Sequence, residues 1–347
     1  MENKNKRIEY ISLASVVSAI AVVFLHANGC FWSFSTSRYW FTANIIESVF
    51  YFAVPIFFMI SGAMLLDFNK KYDLKQYFSK RISKTLIPYI IWSFIGLAIQ
   101  IYYMNSINVN DLSLKFILEG LLSGKLVGVY WFFIPLFLIY LAIPVFAFIS
   151  DKNKKDILIY ATSLAFILNI LIPFVLKVFS IDIDFPISFY VVSGVLFYPL
   201  VGYLLHKYEL DRKYQLILYG LAICGLLMHI IGTYELSIAT GKLIDTYKGY
   251  ANMPAVLYSI GVFVFIKYDL VKLMKFDLVS KFVGFVDFYT FGIYLIHWYL
   301  LEFILRTFNF SNTSIIYRLF APFVVLVMAV IIIYLVRKIP IIKRILP

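Results

Sequence analysis

Charged residues are scarce in this sequence. Asp, Glu, Lys and Arg supply 14% of its 347 residues, 62% are hydrophobic, and the mean hydropathy is +0.88. That balance excludes an ordinary soluble globular domain, in which about a quarter of the residues are charged. Cysteine is nearly absent: Cys30 and Cys224 offer neither a disulfide framework nor the spacing of a metal site. Histidine occurs four times. There is no Walker A, HExxH, CxxC or GxSxG pattern to mark a nucleotide, metal or serine-nucleophile site. A Ser/Gly-rich linker, a low-complexity block and an internal repeat are all missing, so residues 1–347 read as one domain.

Long apolar runs are what the sequence has instead. A helix needs about 20 residues to cross a hydrocarbon core of roughly 30 Å. Ten runs meet that need, over 8–28, 43–66, 85–104, 128–149, 157–178, 187–206, 214–232, 251–268, 288–306 and 315–336. Lipid offers no water to backbone N–H and C=O groups, and the runs lack the alternation of a barrel strand, so they must be helices. The expected fold is an all-α integral membrane bundle of about ten transmembrane helices. The first run is too long for a signal peptide and lacks a small-residue cleavage site.

The net charge of +12 does not point to nucleic acid. With the N-terminus inside, 23 of the 31 Lys and Arg residues fall on one side. The positive-inside rule then puts both termini in the cytoplasm, and a multi-pass protein of the plasma membrane is expected. Two further segments, 111–126 and 268–285, carry apolar residues at helical spacing with charges between them, the pattern of interfacial helices.

Within VVFLHANGC (22–30), His26 lies about 18 residues into the first run, or ~27 Å from its start, toward the outer face. Ser12, Ser15, Ser18, Ala19, Val22, His26 and Gly29 share one helical face. Small residues in such a stripe allow close helix packing, so His26 could simply bond a neighbouring carbonyl; ionisable groups at membrane depth are also expected to be functional. Glu47 enters the second run from the outer side at similar depth, and a carboxylate there could orient an imidazole or snorkel to water. Lys80, Arg81 and Lys84 cluster at the inner start of the third run. Such a cluster sets topology and meets anionic lipid heads, and an Arg fork beside two lysines also suits phosphates. His297 falls near the middle of the ninth run, where a casual polar role is expensive. His206 and His229 sit at run ends, where water is at hand. The aromatic stretch GCFWSFSTSRYWF (29–41) suits either stacking on a glycan or anchoring at the interface.

Four stretches resemble the membrane-bound acyltransferase-3 family: RIEYISLASVVSAIAVVFLHAN, FAVPIFFMISGAMLLD, YFSKRISKTLIPYIIW and TFGIYLIHW, with weaker echoes in YWFFIPLFLIYLAIP, which begins at Tyr130 and Trp131, and in FYPLVGYLL. The resemblance implies an O-acyltransferase that moves an acetyl group from cytoplasmic acetyl-CoA to a hydroxyl of an extracytoplasmic glycan or lipid-linked sugar, without a metal. It implies His26 as the base or acyl relay and Lys80, Arg81 and Lys84 as holders of the CoA phosphates; Glu47 joins His26 as a catalytic candidate from its depth alone. The family's first helix usually carries an Arg eleven residues before the His and an Asp three residues before that Arg. Here those positions are Ser15 and Ser12. The departure keeps a second expectation alive, a non-catalytic relative that transports or helps export a polysaccharide or small metabolite. Membrane lipids are the other expected partner, nucleic acid is not one, and association with a second copy stays open.

Overall fold

A computed structural model of the chain describes residues 9–183, 188–339 and 345–346. The described residues form helices and connecting turns, with no strand. Among them, eight helices are long and apolar enough to cross a membrane, and one bent pair makes a ninth.

The first helix, α1 (Glu9–Ala27), lies at the centre of the bundle. It is apolar on nearly every side, as a helix surrounded by others must be, and it packs against neighbours throughout the chain. The second span runs as α2 (Arg38–Phe50) and α3 (Ala53–Leu65), with a turn between them. Pro55 has no N–H to return to the Tyr51 carbonyl, so the chain breaks where that bond would have formed.

Proline also explains two irregular spans. In α4 (Leu74–Arg81) and α5 (Ile87–Tyr102), a π-helical turn at Ile82–Leu86 precedes Pro88; in α8 (Asp151–Ala165) and α9 (Ile172–Val178), another at Phe166–Leu171 precedes Pro173. Widening the turn relieves the clash of the ring with the carbonyl four residues back. Asp73 caps this first irregular span, accepting the Gln76 N–H at 2.7 Å.

Between these spans, α6 (Leu114–Ser123) exposes Leu114, Leu118 and Leu122 on one side, and α7 (Phe133–Ala147) crosses the bundle. The expected span over 187–206 is different in kind. Only α10 (Phe197–Lys207) is regular there, and its 11 residues reach about 16 Å, half of a hydrocarbon core; residues 184–187 lie outside the described ones. This short helix survives by packing closely on α3. A Cβ on Gly62 would overlap the Pro199 carbonyl, and one on Gly202 would overlap the Met59 backbone, so the two backbones meet with nothing between them.

The remaining spans are α11 (Arg212–Leu227) and α12 (Thr233–Thr240), joined by a π-helical turn at Met228–Gly232, then α13 (Met253–Tyr268). Next, α14 (Asp277–Asp287) meets α15 (Thr290–Thr307) at a bend of 72°. Its exposed Leu278, Phe282 and Phe285 form the apolar side of an amphipathic helix. The last helix is α16 (Ile315–Val336). At the end of the bundle that holds the start of α1, Asp67 gathers Lys207 at 2.9 Å, Lys154 at 3.4 Å and the Tyr203 hydroxyl at 3.0 Å, tying α3, α8 and α10 together.

Candidate functional site

His26 sits in the last turn of α1, at the opposite end of the bundle from the Asp67 cluster. Its ring stacks on that of His297 from α15, with centroids 4.8 Å apart and planes at 26°. His26 Nδ1 and His297 Nε2 are 2.7 Å apart. On its far side, His297 Nδ1 faces the carbonyls of Tyr294 at 2.7 Å and Ile293 at 3.2 Å. Carbonyls only accept, so His297 Nδ1 must carry the proton. With both rings neutral, His297 Nε2 is then an acceptor, His26 Nδ1–H donates to it, and His26 Nε2 bears a free lone pair.

His26 opens on a cavity of about 340 Å³, within the size range of small-molecule sites, roughly 300–1,000 Å³. Glu47, Trp32, Tyr51, Trp131, Tyr250 and Tyr294 share its lining. Glu47 comes from α2 and does not bond His26. Its Oε2 accepts the Asn28 Nδ2–H at 3.4 Å, and Asn28 also donates to the Ala43 carbonyl at 2.9 Å. The Asn28 Oδ1 in turn accepts from Arg318 of α16 at 3.3 Å; the same guanidinium donates to Thr42 Oγ1 at 2.9 Å and the Thr313 carbonyl at 3.1 Å. A buried arginine thus holds the amide that holds the carboxylate.

Lys248, from the connection between α12 and α13, lies behind the cavity wall. It is 2% exposed, donates to Ser48 Oγ at 2.6 Å, and covers the rings of Phe31 and Tyr51. Burial pushes its ammonium down from the usual lysine range, and the nearby Glu47 carboxylate works against that fall. Two residues on, Tyr250 stacks on Tyr51 at 4.5 Å and on Trp131 at 5.5 Å. The turn between Lys248 and Tyr250 uses Gly249 at φ +107°, a conformation that favours glycine.

Below this cavity along α1 lies a second, of about 200 Å³, lined by Ser15, Ser61, Thr85, Tyr140 and Thr290 with several apolar side chains. Phe57, Phe132 and Tyr294 border both cavities. Arg81 sits near the Tyr140 wall, its guanidinium 5.4 Å from that ring and 5.8 Å from Tyr77, and its Nε has no protein partner. Lys80 lies over the Tyr72 ring at 3.7 Å, and Lys84 is exposed.

The structure therefore brings His26, His297, Glu47 and Trp131 to one place, and Ser15 to the space below, with Arg81 beside the Tyr140 ring that walls it. It does not bring Tyr130 there: that hydroxyl donates to the Leu295 carbonyl at 2.6 Å and meets Tyr299 at 3.0 Å, bracing α15. Sequence reasoning missed Asn28, Arg318, Lys248 and Tyr250. Arg318 and Lys248 were visible as two of the few cations on the sparsely charged side, and Arg318 also lies within an apolar run.

A family model described as an acyltransferase domain matches residues 8–337, nearly the whole chain. The chain belongs to the acyltransferase-3 family. No curated protein and no solved structure matches it. Membership in the acyltransferase-3 family makes it a membrane acyltransferase in the general sense.

Proposed function

We propose that the chain transfers an acyl group, acetyl in the first instance, from cytoplasmic acyl-CoA to a hydroxyl of an extracytoplasmic cell-surface glycan or lipid-linked sugar. The observation that carries this reading is the His26 Nε2 lone pair opening into a cavity while Nδ1 is tied to His297. An acceptor hydroxyl beside that nitrogen gives up its proton as its oxygen attacks the thioester carbon. The C–S bond then breaks, and the proton held on His26 passes to the CoA thiolate, so the base is regenerated.

The donor would approach from the end of the bundle where α1 begins, taken as the cytoplasmic face of the plasma membrane. Arg81, with Lys80 and Lys84 beside it, would meet the phosphates, and the pantetheine arm would pass the Ser15 cavity toward His26. An arginine with an unpartnered Nε suits that task better than a lysine, because its fork bonds two phosphate oxygens at once.

A second reading has one observation in its favour: no charged side chain lines the 200 Å³ cavity around Ser15. A relative that had stopped binding CoA would look like this, and its cavity would carry a metabolite or polysaccharide instead. The two readings part in purified protein held in lipid nanodiscs, with CoA binding and CoA release from acetyl-CoA measured for wild type and His26→Ala. CoA binding with His26-dependent release supports the transferase. Absence of both overturns it in favour of transport.

A further inference from the structure

Away from the His26 cavity, α1, α14, α15 and α16 frame a groove of about 630 Å³ on the outside of the bundle. Ile20 of α1, Phe282 and Phe285 of α14, and Phe323, Val327 and Ile331 of α16 line it, and no polar side chain does so among the described residues. All of these but Ile20 are more than half exposed. Beside water such a surface would mark a docking site or a liability. At membrane depth its occupant is hydrocarbon, because a water molecule there would find no polar partner on the wall. From Phe323 to Ile331 the groove follows α16 for about 12 Å, most of one leaflet's half of a roughly 30 Å core.

One end of the groove carries positive charge. On the face of α16 that lines it, Phe323, Val327 and Ile331 lead through Tyr334 to Lys338, just past the helix end, with Arg337 beside it. The Arg337 guanidinium lies 3.9 Å from the centre of the Phe288 ring and donates to the Phe288 carbonyl at 3.4 Å, at the corner where α14 turns into α15. Lys338 covers the Tyr334 ring at 4.8 Å. Lys281 is taken up by Asp277 at 2.6 Å, whereas Arg337 and Lys338 meet rings and a carbonyl. Glu9 and Asp287 share a separate pocket with Phe288 and do not line the groove, which puts this corner at the end of the bundle where α1 begins. Topology alone asks for cations at that end, but not for cations in register with an apolar groove.

We infer that the groove holds one acyl tail of an anionic phospholipid from the leaflet at which α1 begins, with the lipid phosphate against Arg337 and Lys338. An arginine fork and a lysine suit a phosphodiester of net negative charge, whereas a zwitterionic headgroup brings its own ammonium to the same place. The tail lies against Ile20, so the bound lipid touches the central helix. Phe323 meets Phe24 edge-on at 5.4 Å, two residues before His26. The lipid would bind whether or not the protein transfers acyl groups.

The test offers the purified full-length protein in detergent equimolar phosphatidylglycerol and phosphatidylcholine with the same acyl tails, and counts retained lipid by native mass spectrometry. Phosphatidylglycerol should be retained over phosphatidylcholine by roughly fivefold or more, the worth of one interfacial cation. Replacing both cations, Arg337→Ala with Lys338→Ala, should remove that preference. Val327→Trp fills the groove and should abolish retention of either lipid, whereas Val145→Trp, on an exposed part of α7, should leave retention unchanged. Soluble glycerol phosphate, a headgroup without tails, should not displace the lipid. Equal retention of the two lipids by the wild type overturns the inference without any variant having to fold. Displacement by glycerol phosphate also overturns it, because the groove would then play no part, and so does full retention by Val327→Trp, which would mean a lipid annulus only.

Discussion

His26 and His297 lie 271 residues apart in the chain and share a hydrogen bond of 2.7 Å whose direction is fixed from outside the pair. The carbonyls of Tyr294 and Ile293 take the His297 Nδ1 proton, which leaves one arrangement for two neutral rings. His26 is oriented by a second imidazole rather than by the carboxylate that its helical depth first suggested. Glu47 is thereby released for contact with whatever enters the cavity.

The two histidines should therefore fail differently. His26→Ala removes the proposed base and should lower acyl transfer by about 10²–10⁴-fold, the range for general bases. His297→Ala removes only the group that holds the tautomer, and a drop in kcat of roughly tenfold to a hundredfold is expected with KM for the donor little changed. Steady-state kinetics on both variants check this. Equal losses from the two substitutions would mean that His297 itself touches the reacting atoms.

Lys248 and Glu47 should behave as one unit in stability. The two side chains are buried and influence each other electrostatically without direct contact, so removing one leaves the other without compensation, at a cost of about 1–3 kcal/mol. Lys248→Met should lower the unfolding temperature in detergent sharply, and the double variant Lys248→Met with Glu47→Gln should recover most of the loss. A double variant no better than the sum of its parts would show that the two charges do not communicate.

The α3 and α10 contact gives a sharper steric prediction. A methyl group at Gly62 has to displace the Pro199 carbonyl, and backbone is the part of a packed core least able to yield. Gly62→Ala should destabilise by about 1–3 kcal/mol as an overpacking change. Gly220, with nothing within 4 Å of its Cβ position, should accept alanine without loss. Thermal unfolding followed by fluorescence compares the two.

Much of the fold was legible because lipid leaves the backbone few options. Every long apolar run except that over 187–206 corresponds to a helix, or a bent or broken helix, of spanning length. The exception arises because apolar character reports burial and not helix length: α10, the regular helix there, is short and packs closely on α3. The candidate site was legible one residue at a time. His26, Glu47 and His297 stood out as ionisable groups at membrane depth, but their pairing depends on how α1, α2 and α15 meet, which helical periodicity does not encode. Arg318 and Lys248 were hidden by a rule that explains most lysines and arginines here by topology alone. Tyr250 was hidden by abundance, as one of 27 tyrosines.

Ser15 decides how far the family's pattern carries over. It is 3% exposed and lines the cavity below His26 among uncharged neighbours, where the resemblance would put an arginine. If Arg81 already serves the donor, wild type binds CoA. Ser15→Arg then adds a bulky cation to a space of about 200 Å³, crowding the thioester's path. CoA affinity should change by no more than a few-fold while kcat falls, because the phosphates bind at the bundle's end and the obstruction lies between them and His26. If the natural protein has lost its donor site, the same substitution should act in the opposite sense, raising CoA binding from undetectable to measurable. Calorimetry of CoA with wild type and Ser15→Arg in nanodiscs separates the cases, and binding by the variant alone would move the function from acyl transfer to transport.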